Sequence, residues 1–230
     1  MSVSKTIVIS CAGMGTRLGI GSTKALIDID GKPLIIRQLE LLKDFDDIRI
    51  VVGYQMEKVI EVVNSYRKDI LFVFNHNYRN TGTGGSFSLA IKHAADMVVS
   101  LDGDLLVHPD DLRRVLDSDK ECVCGAIPCT EDPMLMKTLT QNGQIYGVGF
   151  SREEGEYEWT GLAQVKTARL TPGDRHVCDM MVPLLPLPME LIRTKEIDTM
   201  ADYEHAVAWV KSGYACLLYT SPSPRDAHES

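Results

Sequence analysis

An α/β domain is expected, with a mostly parallel sheet, helices on both faces and a small antiparallel insertion. Three observations predict it. Short, branched, nearly continuous apolar runs recur: TIVIS (6–10), IRIVV (48–52), ILFVF (70–74), MVVSL (97–101) and CVCGAI (122–127). Strands buried on both faces read this way. Segments of helical period separate these runs, and that alternation makes neighbouring strands parallel. After residue 130 the pattern changes to KTLTQNGQIYGVGF, two extended runs about Asn142-Gly143. That dipeptide is a strong type I′ hairpin signal.

Taken in order, helices are expected over Pro33–Leu42, Met56–Tyr66, Ser86–Ala95 and Pro109–Leu116. His108-Pro109-Asp110-Asp111 places a proline and two acids in a first turn, where both favour helix initiation. YEWTGLAQV (157–165) reads as a further strand. VCDMMVPLLPLPMELI is apolar, but Pro183, Pro186 and Pro188 prevent one straight helix. EIDTMADYEHAVAWV then gives a short strand end, Thr199 as N-cap and a closing helix. No internal repeat or linker interrupts the chain, so one domain is expected over residues 1–215.

At 230 residues the chain is long enough to bury a substantial core. A net charge of −8 argues against nucleic-acid binding, because no basic stripe offsets phosphate repulsion. No apolar stretch approaches the roughly 20 residues of a membrane span. TIVIS is too short for a signal h-region, so the cytoplasm is the expected compartment. Cys122, Cys124 and Cys129 match no common zinc spacing and read as small apolar residues.

The segment CAGMGTRLGIGSTKALIDIDGKP (11–33) follows the first strand. A P-loop needs a glycine before its lysine and Ser or Thr after it, whereas Ala25 follows Lys24. A dinucleotide fingerprint needs a third glycine where Leu18 stands. The segment is instead a wrapping loop. Gly13 and Gly15 let the backbone from Ala12 through Met14 to Thr16 present successive N–H groups to a polyphosphate. Arg17 supplies a planar fork for phosphate oxygens and Lys24 a point charge at the α-phosphate.

The string Gly13, Gly15, Thr16, Arg17, Lys24, Gly31, Lys32, Pro33 resembles the N-terminal motif of the nucleoside-diphosphate-sugar pyrophosphorylase-like nucleotidyltransferases. The resemblance extends over roughly residues 5–211 and implies their Rossmann-like, nucleotide-diphospho-sugar transferase fold. Thr23 stands where the family often has proline. NHNYRNTGTGGSFSLA lies where the family reads the base, with Gly82 and Thr83 matching its Gly-Thr element. Asn75 and Asn77 are candidates to reach a pyrimidine edge. LDGDL resembles the family's metal-binding turn: Asp104 is the implied Mg²⁺ ligand, and Asp102 contacts nucleotide or caps the turn. Asp198 is the implied second ligand, with helix capping as its alternative role.

The implied reaction is nucleotidyl transfer, in which an acceptor phosphate attacks the α-phosphorus of an NTP and pyrophosphate leaves. It calls for in-line positioning and charge neutralisation by Arg17, Lys24 and Mg²⁺, not for a strong base. NYRNTGTGGSFSLA and HVCDMM resemble cytidylyltransferases for small alcohol phosphates such as phosphocholine, so CTP is the favoured donor. Trp159, beside Gly161, either faces a cationic acceptor through cation–π contact or packs in the core. Glu158 and Asp179 are candidate acceptor-site acids or surface residues. Sugar-1-phosphate and molybdenum-cofactor nucleotidyltransferases remain alternatives. A glycosyltransferase reading Asp102-Gly103-Asp104 as its metal motif, or a nucleotide-binding sensor, is less consistent with Arg17 and Lys24 together.

CLLYTSPSPRD (216–226) resembles the translation of a transposon adapter used in sequencing libraries, so residues 216–230 are expected to be a non-native tail. A chain ending at Ala215 should match the 230-residue chain in melting temperature and turnover. A melting temperature lower by about 5 °C, on the order of 1 kcal/mol, would show that the tail packs.

Overall fold

The computed structural model describes residues 3–15 and 21–215, and the tail 216–230 lies outside them. The first half alternates as expected: β1 (Lys5–Cys11), α1 (Leu34–Leu41), β2 (Ile48–Val52), α2 (Met56–Tyr66), β3 (Leu71–Phe74), α3 (Thr83–Ala90) and β4 (Met97–Asp102). β5 (Leu105–Val107), α4 (Pro109–Asp117) and β6 (Cys122–Ala126) follow. The second half holds β7 (Leu135–Gln141), β8 (Gln144–Ser151), β9 (Tyr157–Lys166), α5 (Val177–Met181), β10 (Leu187–Leu191), β11 (Thr194–Glu196) and α6 (Met200–Lys211).

A nine-stranded sheet runs in the order β3-β2-β1-β4-β9-β6-β10-β8-β7. β1 is parallel to β2 and β4, β2 to β3, and β6 to β10. β9 runs antiparallel between β4 and β6, so the sheet is mixed. The antiparallel portion is therefore no outgrowth. Its last strand enters the middle of the sheet and joins the parallel strands β3-β2-β1-β4 to the parallel pair β6-β10. Asn142 and Gly143 connect β7 to β8 with φ of 51° and 77°, the double left-handed turn that a type I′ hairpin requires.

Alternate residues of the central strands face opposite helical layers. Ile7, Ile9 and Cys11 pack with Ile35, Leu39, Val63 and Leu112 of α1, α2 and α4. Val8 and Val51 pack with Phe87 and Met181 of α3 and α5 on the other side. Each such side chain contributes roughly 1.5–3 kcal/mol on full burial. Leu34, Leu106 and Trp209 form a third cluster beneath α6. Thr199 caps α6, its hydroxyl accepting from Asp202 N–H at 3.2 Å.

Two local expectations are corrected. Among the described residues β3 pairs only with β2 and forms the sheet edge, leaving Leu71 and Phe74 exposed. The third helix begins at Thr83 and ends at Ala90, because Gly82 is its N-cap. Among the described residues, no helix is long and apolar enough to cross a membrane.

Asp111 ties α4 to the segment that leads into β11. Its buried carboxylate accepts from Arg193 N–H and Nε at 2.8 Å each and from Arg114 Nη1 at 2.8 Å. Burial alone would raise its pKa, but the hydrogen bonds from Arg193 and Arg114 prevail and hold it well below the carboxylate range. A lowered folded-state pKa stabilises the fold above the unfolded value of about 3.9 and loses that contribution as pH falls. Asp111→Ala should destabilise the protein by about 1.5–3 kcal/mol at neutral pH. In chemical denaturation across pH, the gap between variant and parent should shrink below about pH 4. An unchanged gap would remove the carboxylate as its cause.

Candidate active site

The site forms across the C-terminal ends of β1 and β4, the edge where open α/β sheets receive ligands. Ala12, Gly13, Met14 and Gly15 continue β1 as an irregular loop, while Thr16 and Arg17 lie outside the described residues. A short 3-10 turn over Lys24–Leu26 then sets Lys24 against that loop. β4 ends at Asp102, and Gly103-Asp104 turns the chain into β5. β11 pairs antiparallel with β5, placing Glu196 opposite Leu105. Ile197 N–H donates to the Asp104 carbonyl at 3.2 Å, which carries Asp198 to the same turn.

Carboxylate oxygens of Asp104, Glu196 and Asp198 lie within 4.8 Å of one another. Lys24 Nζ donates to Asp104 Oδ2 at 2.8 Å and also to Asp198 Oδ1. Burial lowers the Lys24 pKa, but Asp104 and Asp198 outweigh it, so the ammonium is held above its ordinary value. Asp102 is pushed up to about 7, first by burial and then by the charge of Asp104. Burial, followed by repulsion from Asp104, Asp198 and Asp102, raises Glu196 to about 9. This much negative charge in one place is costly unless a cation shares it. An all-oxygen donor set fits a hard divalent ion such as Mg²⁺.

Two adjoining clefts open here. One of about 220 Å³ lies between Gly13, Gly15, Lys24 and Asp104. The other, about 420 Å³, reaches from Ala12 past Gly82 and Thr83 to Trp159 and Gly161, with Asp102 and Asp198 in its wall. Gly161 has φ of 77°, and a Cβ there would fall 2.1 Å from Asp102 Oδ2. Gly82 packs still more tightly: its Cβ would lie 1.7 Å from the Arg175 carbonyl oxygen. Both glycines shape the cleft through close backbone approach.

The remaining sequence candidates divide between the cleft border and places away from it. Asn75 is buried, and its amide donates to Thr81 Oγ1 and Ser86 Oγ at 3.0 Å each, bracing the loop from below. Asn77 Oδ1 accepts from Asn80 Nδ2 at 2.7 Å, and Asn77 does not line the cleft. Met14 is exposed and lines neither cleft. The Asp179 carboxylate turns away to accept from His176 N–H at 3.0 Å at the start of α5. Glu158 borders the cleft but is buried, accepting from Cys129 N–H at 2.9 Å and from the Thr130 hydroxyl. It is no surface residue; it holds the loop after β6. Trp159 is half-buried, edge-on to Phe150 with ring centres 5.3 Å apart, and one side borders the cleft.

Glu196 is the acid that the sequence reading missed. The signal was present: Glu196-Ile197-Asp198 repeats the acid-x-acid spacing of Asp102-Gly103-Asp104. Arg152, which donates to the Asp132 carbonyl at 2.6 Å and borders the larger cleft, was also missed. Nothing local marks it, because Arg152 just follows β8 and meets the cleft only in the folded sheet.

The family model of the MobA-like NTP transferase domain matches residues 7–209. The bifunctional protein GlmU of Aliarcobacter butzleri is 29% identical over 156 residues, which cover 67% of this chain and 36% of that relative. The chain thus matches well under half of that relative's length. A Bacillus anthracis structure, assigned as a glucose-1-phosphate thymidylyltransferase, superposes with TM-score 0.72 at 16% identity, covering 90% of this chain and 96% of that one. LicC, the CTP:phosphocholine cytidylyltransferase of Streptococcus pneumoniae, gives 0.67 at 19% identity, covering 90% and 100%. These likenesses show a shared nucleotide-diphospho-sugar transferase fold. The family match begins within β1 and ends within α6, so it takes in the whole sheet, and the chain belongs to the MobA-like NTP transferase domain family, which is one of nucleotidyltransferases.

Proposed function

We propose that this enzyme is a magnesium-dependent cytidylyltransferase. It moves CMP from CTP to a small phosphorylated alcohol, with phosphocholine the favoured type, and releases pyrophosphate. One observation carries the reading: Lys24 and the carboxylates of Asp104, Glu196 and Asp198 meet beside a glycine loop at one sheet edge. The choice of CTP and phosphocholine is supported by the fold shared with LicC.

An acceptor phosphate oxygen attacks the α-phosphorus, and the bond from that phosphorus to the bridging oxygen breaks as pyrophosphate leaves. Nucleophile and leaving group are both ionised at neutral pH, so positioning and charge neutralisation dominate. Backbone N–H groups from Ala12 to Thr16 cradle the triphosphate, and Arg17 grips its oxygens. Lys24 exchanges its carboxylate partners for the α-phosphate. Asp104, Asp198 and Glu196 would hold Mg²⁺, which when bound neutralises phosphate charge. Gly82 and Thr83 border the base, with Asp102 forming the floor beneath the nucleotide. Trp159 and Gly161 bound the acceptor side, where Arg152 meets the acceptor phosphate.

A sugar-1-phosphate acceptor is the second reading, favoured by the fold shared with the Bacillus anthracis protein. The four common NTPs, each paired with phosphocholine, polyol phosphates and sugar-1-phosphates, should separate the two by pyrophosphate release. CTP with phosphocholine or a polyol phosphate is the expected optimum; another nucleotide with a sugar-1-phosphate establishes the second reading. No release from any pair sinks both.

Lys24→Ala should lower kcat/KM by about two to three orders of magnitude; activity within twofold of the parent would remove Lys24 from the chemistry. Asp104→Asn should abolish magnesium-dependent turnover and leave the circular dichroism spectrum unchanged. Asp198→Asn should act in the same way but less completely. Full activity in either variant would take that carboxylate out of the metal set.

A further inference from the structure

α1 carries a polar residue on its buried face. Leu34, Ile35, Ile36 and Leu39 are buried there, and Gln38 sits among them at 3% exposure. Its Nε2 donates to the Asp102 carbonyl and to the Leu105 carbonyl, each at 2.8 Å. Both neighbours are acceptors, so only the NH₂ end of the amide satisfies them. Oε1 is buried with no hydrogen-bond partner among the described residues. An apolar residue would remove the unmet acceptor but also the amide that serves the Asp102 and Leu105 carbonyls.

The two carbonyls flank Gly103-Asp104. Gln38 therefore spans the turn from one side to the other, like a strut under an arch. Gly103 N–H donates to the Ser10 carbonyl at 3.0 Å, and Ile197 N–H donates to the Asp104 carbonyl at 3.2 Å. β1, α1 and β11 each hold the turn that presents Asp104. α1 also starts directly after Gly31-Lys32-Pro33, the far end of the phosphate loop. Leu34 N–H donates to the Ile27 carbonyl at 2.9 Å, joining the helix start to the segment after Lys24.

We infer that Gln38 is a positioning residue for the metal-binding carboxylate. It sets the Asp102–Leu105 turn so that Asp104 meets Glu196 and Asp198, and it links that turn to the phosphate loop through α1. This inference rests on the proposed magnesium site. Outer hydrogen bonds of this kind commonly govern metal affinity by ten- to hundredfold.

The test uses the full chain and Mn²⁺ alone as probe, followed by water-proton relaxation without nucleotide. Gln38→Leu should weaken Mn²⁺ binding about ten- to hundredfold and lower kcat more than it raises KM for the NTP. Gln38→Glu keeps the length but turns an acceptor toward two carbonyls; it should weaken Mn²⁺ similarly and is decisive should the leucine variant not fold. Val63→Ala, a core change in α2, controls for destabilisation alone and should leave Mn²⁺ affinity within twofold. Mn²⁺ affinity within twofold of the parent in both Gln38 variants would overturn the inference, as would equal weakening by Val63→Ala. Failure of the parent to bind Mn²⁺ would instead overturn the metal site itself, and the positioning role with it.

Discussion

The antiparallel pairing of β11 with β5 brings carboxylates almost a hundred residues apart in the chain to one place. It joins Thr194 to Val107, Lys195 to Leu106 and Glu196 to Leu105. A pairing so short contributes little stability by itself. It is held from outside by Asp111, which fixes Arg193 just before the strand, and by α6, which follows it and buries Trp209 against the third core cluster. Glu196 ends β11 and Asp198 follows two residues later, and their carboxylates come together with that of Asp104. Ile197 is fully buried and anchors the stretch in the cluster under α6. A one-residue slip would expose it and turn both acids away.

Charge is the second constraint. Asp102, Asp104, Glu196 and Asp198 cannot all ionise together at neutral pH with Lys24 as their cation, and Glu196 and Asp102, buried and beside like charges, hold their protons more tightly as a result. A fold under selection for stability alone would dilute such a cluster. Its retention in a polar cleft is what a binding site for a cation and its phosphates requires. The strain is supported by the well-packed sheet beneath, where Ile7, Ile9 and Leu101 are buried almost completely.

The parallel half was legible because its strands are apolar on both faces and its helices carry clear periodicity. IRIVV and MEKVIEVVNSY match β2 and α2 residue for residue. ILFVF was misread as a buried strand, since apolar composition cannot distinguish a central strand from an edge. The insertion of β9 between β4 and β6 was not legible either, because pairing order depends on contacts distant in sequence. The glycine loop and the acids at 102, 104 and 198 stood out through their resemblance to the family's motifs. Asn77 and Asp179 were picked for residue type; the structure commits each to a local hydrogen bond. Glu196 shows the reverse, an acid whose spacing to Asp198 was visible but whose place in the cluster depends on β11 lying against β5.

Gly82 has a further consequence. Its N–H donates to the Asp174 carbonyl at 2.8 Å, and Gly84 N–H donates to the Arg175 carbonyl at 3.1 Å. Two stretches almost a hundred residues apart are thus joined main chain to main chain, and the Thr83 hydroxyl adds to the seam by accepting from Val177 N–H at 3.2 Å. One stretch leads into α3 and the other into α5, and both border the larger cleft. Side chains projecting from either stretch can diversify, but the seam itself tolerates neither a Cβ nor a change of loop length. Grafting one lip from a relative with different preferences would mismatch the other. The two lips of the larger cleft are therefore fixed to each other as a matched pair of loops.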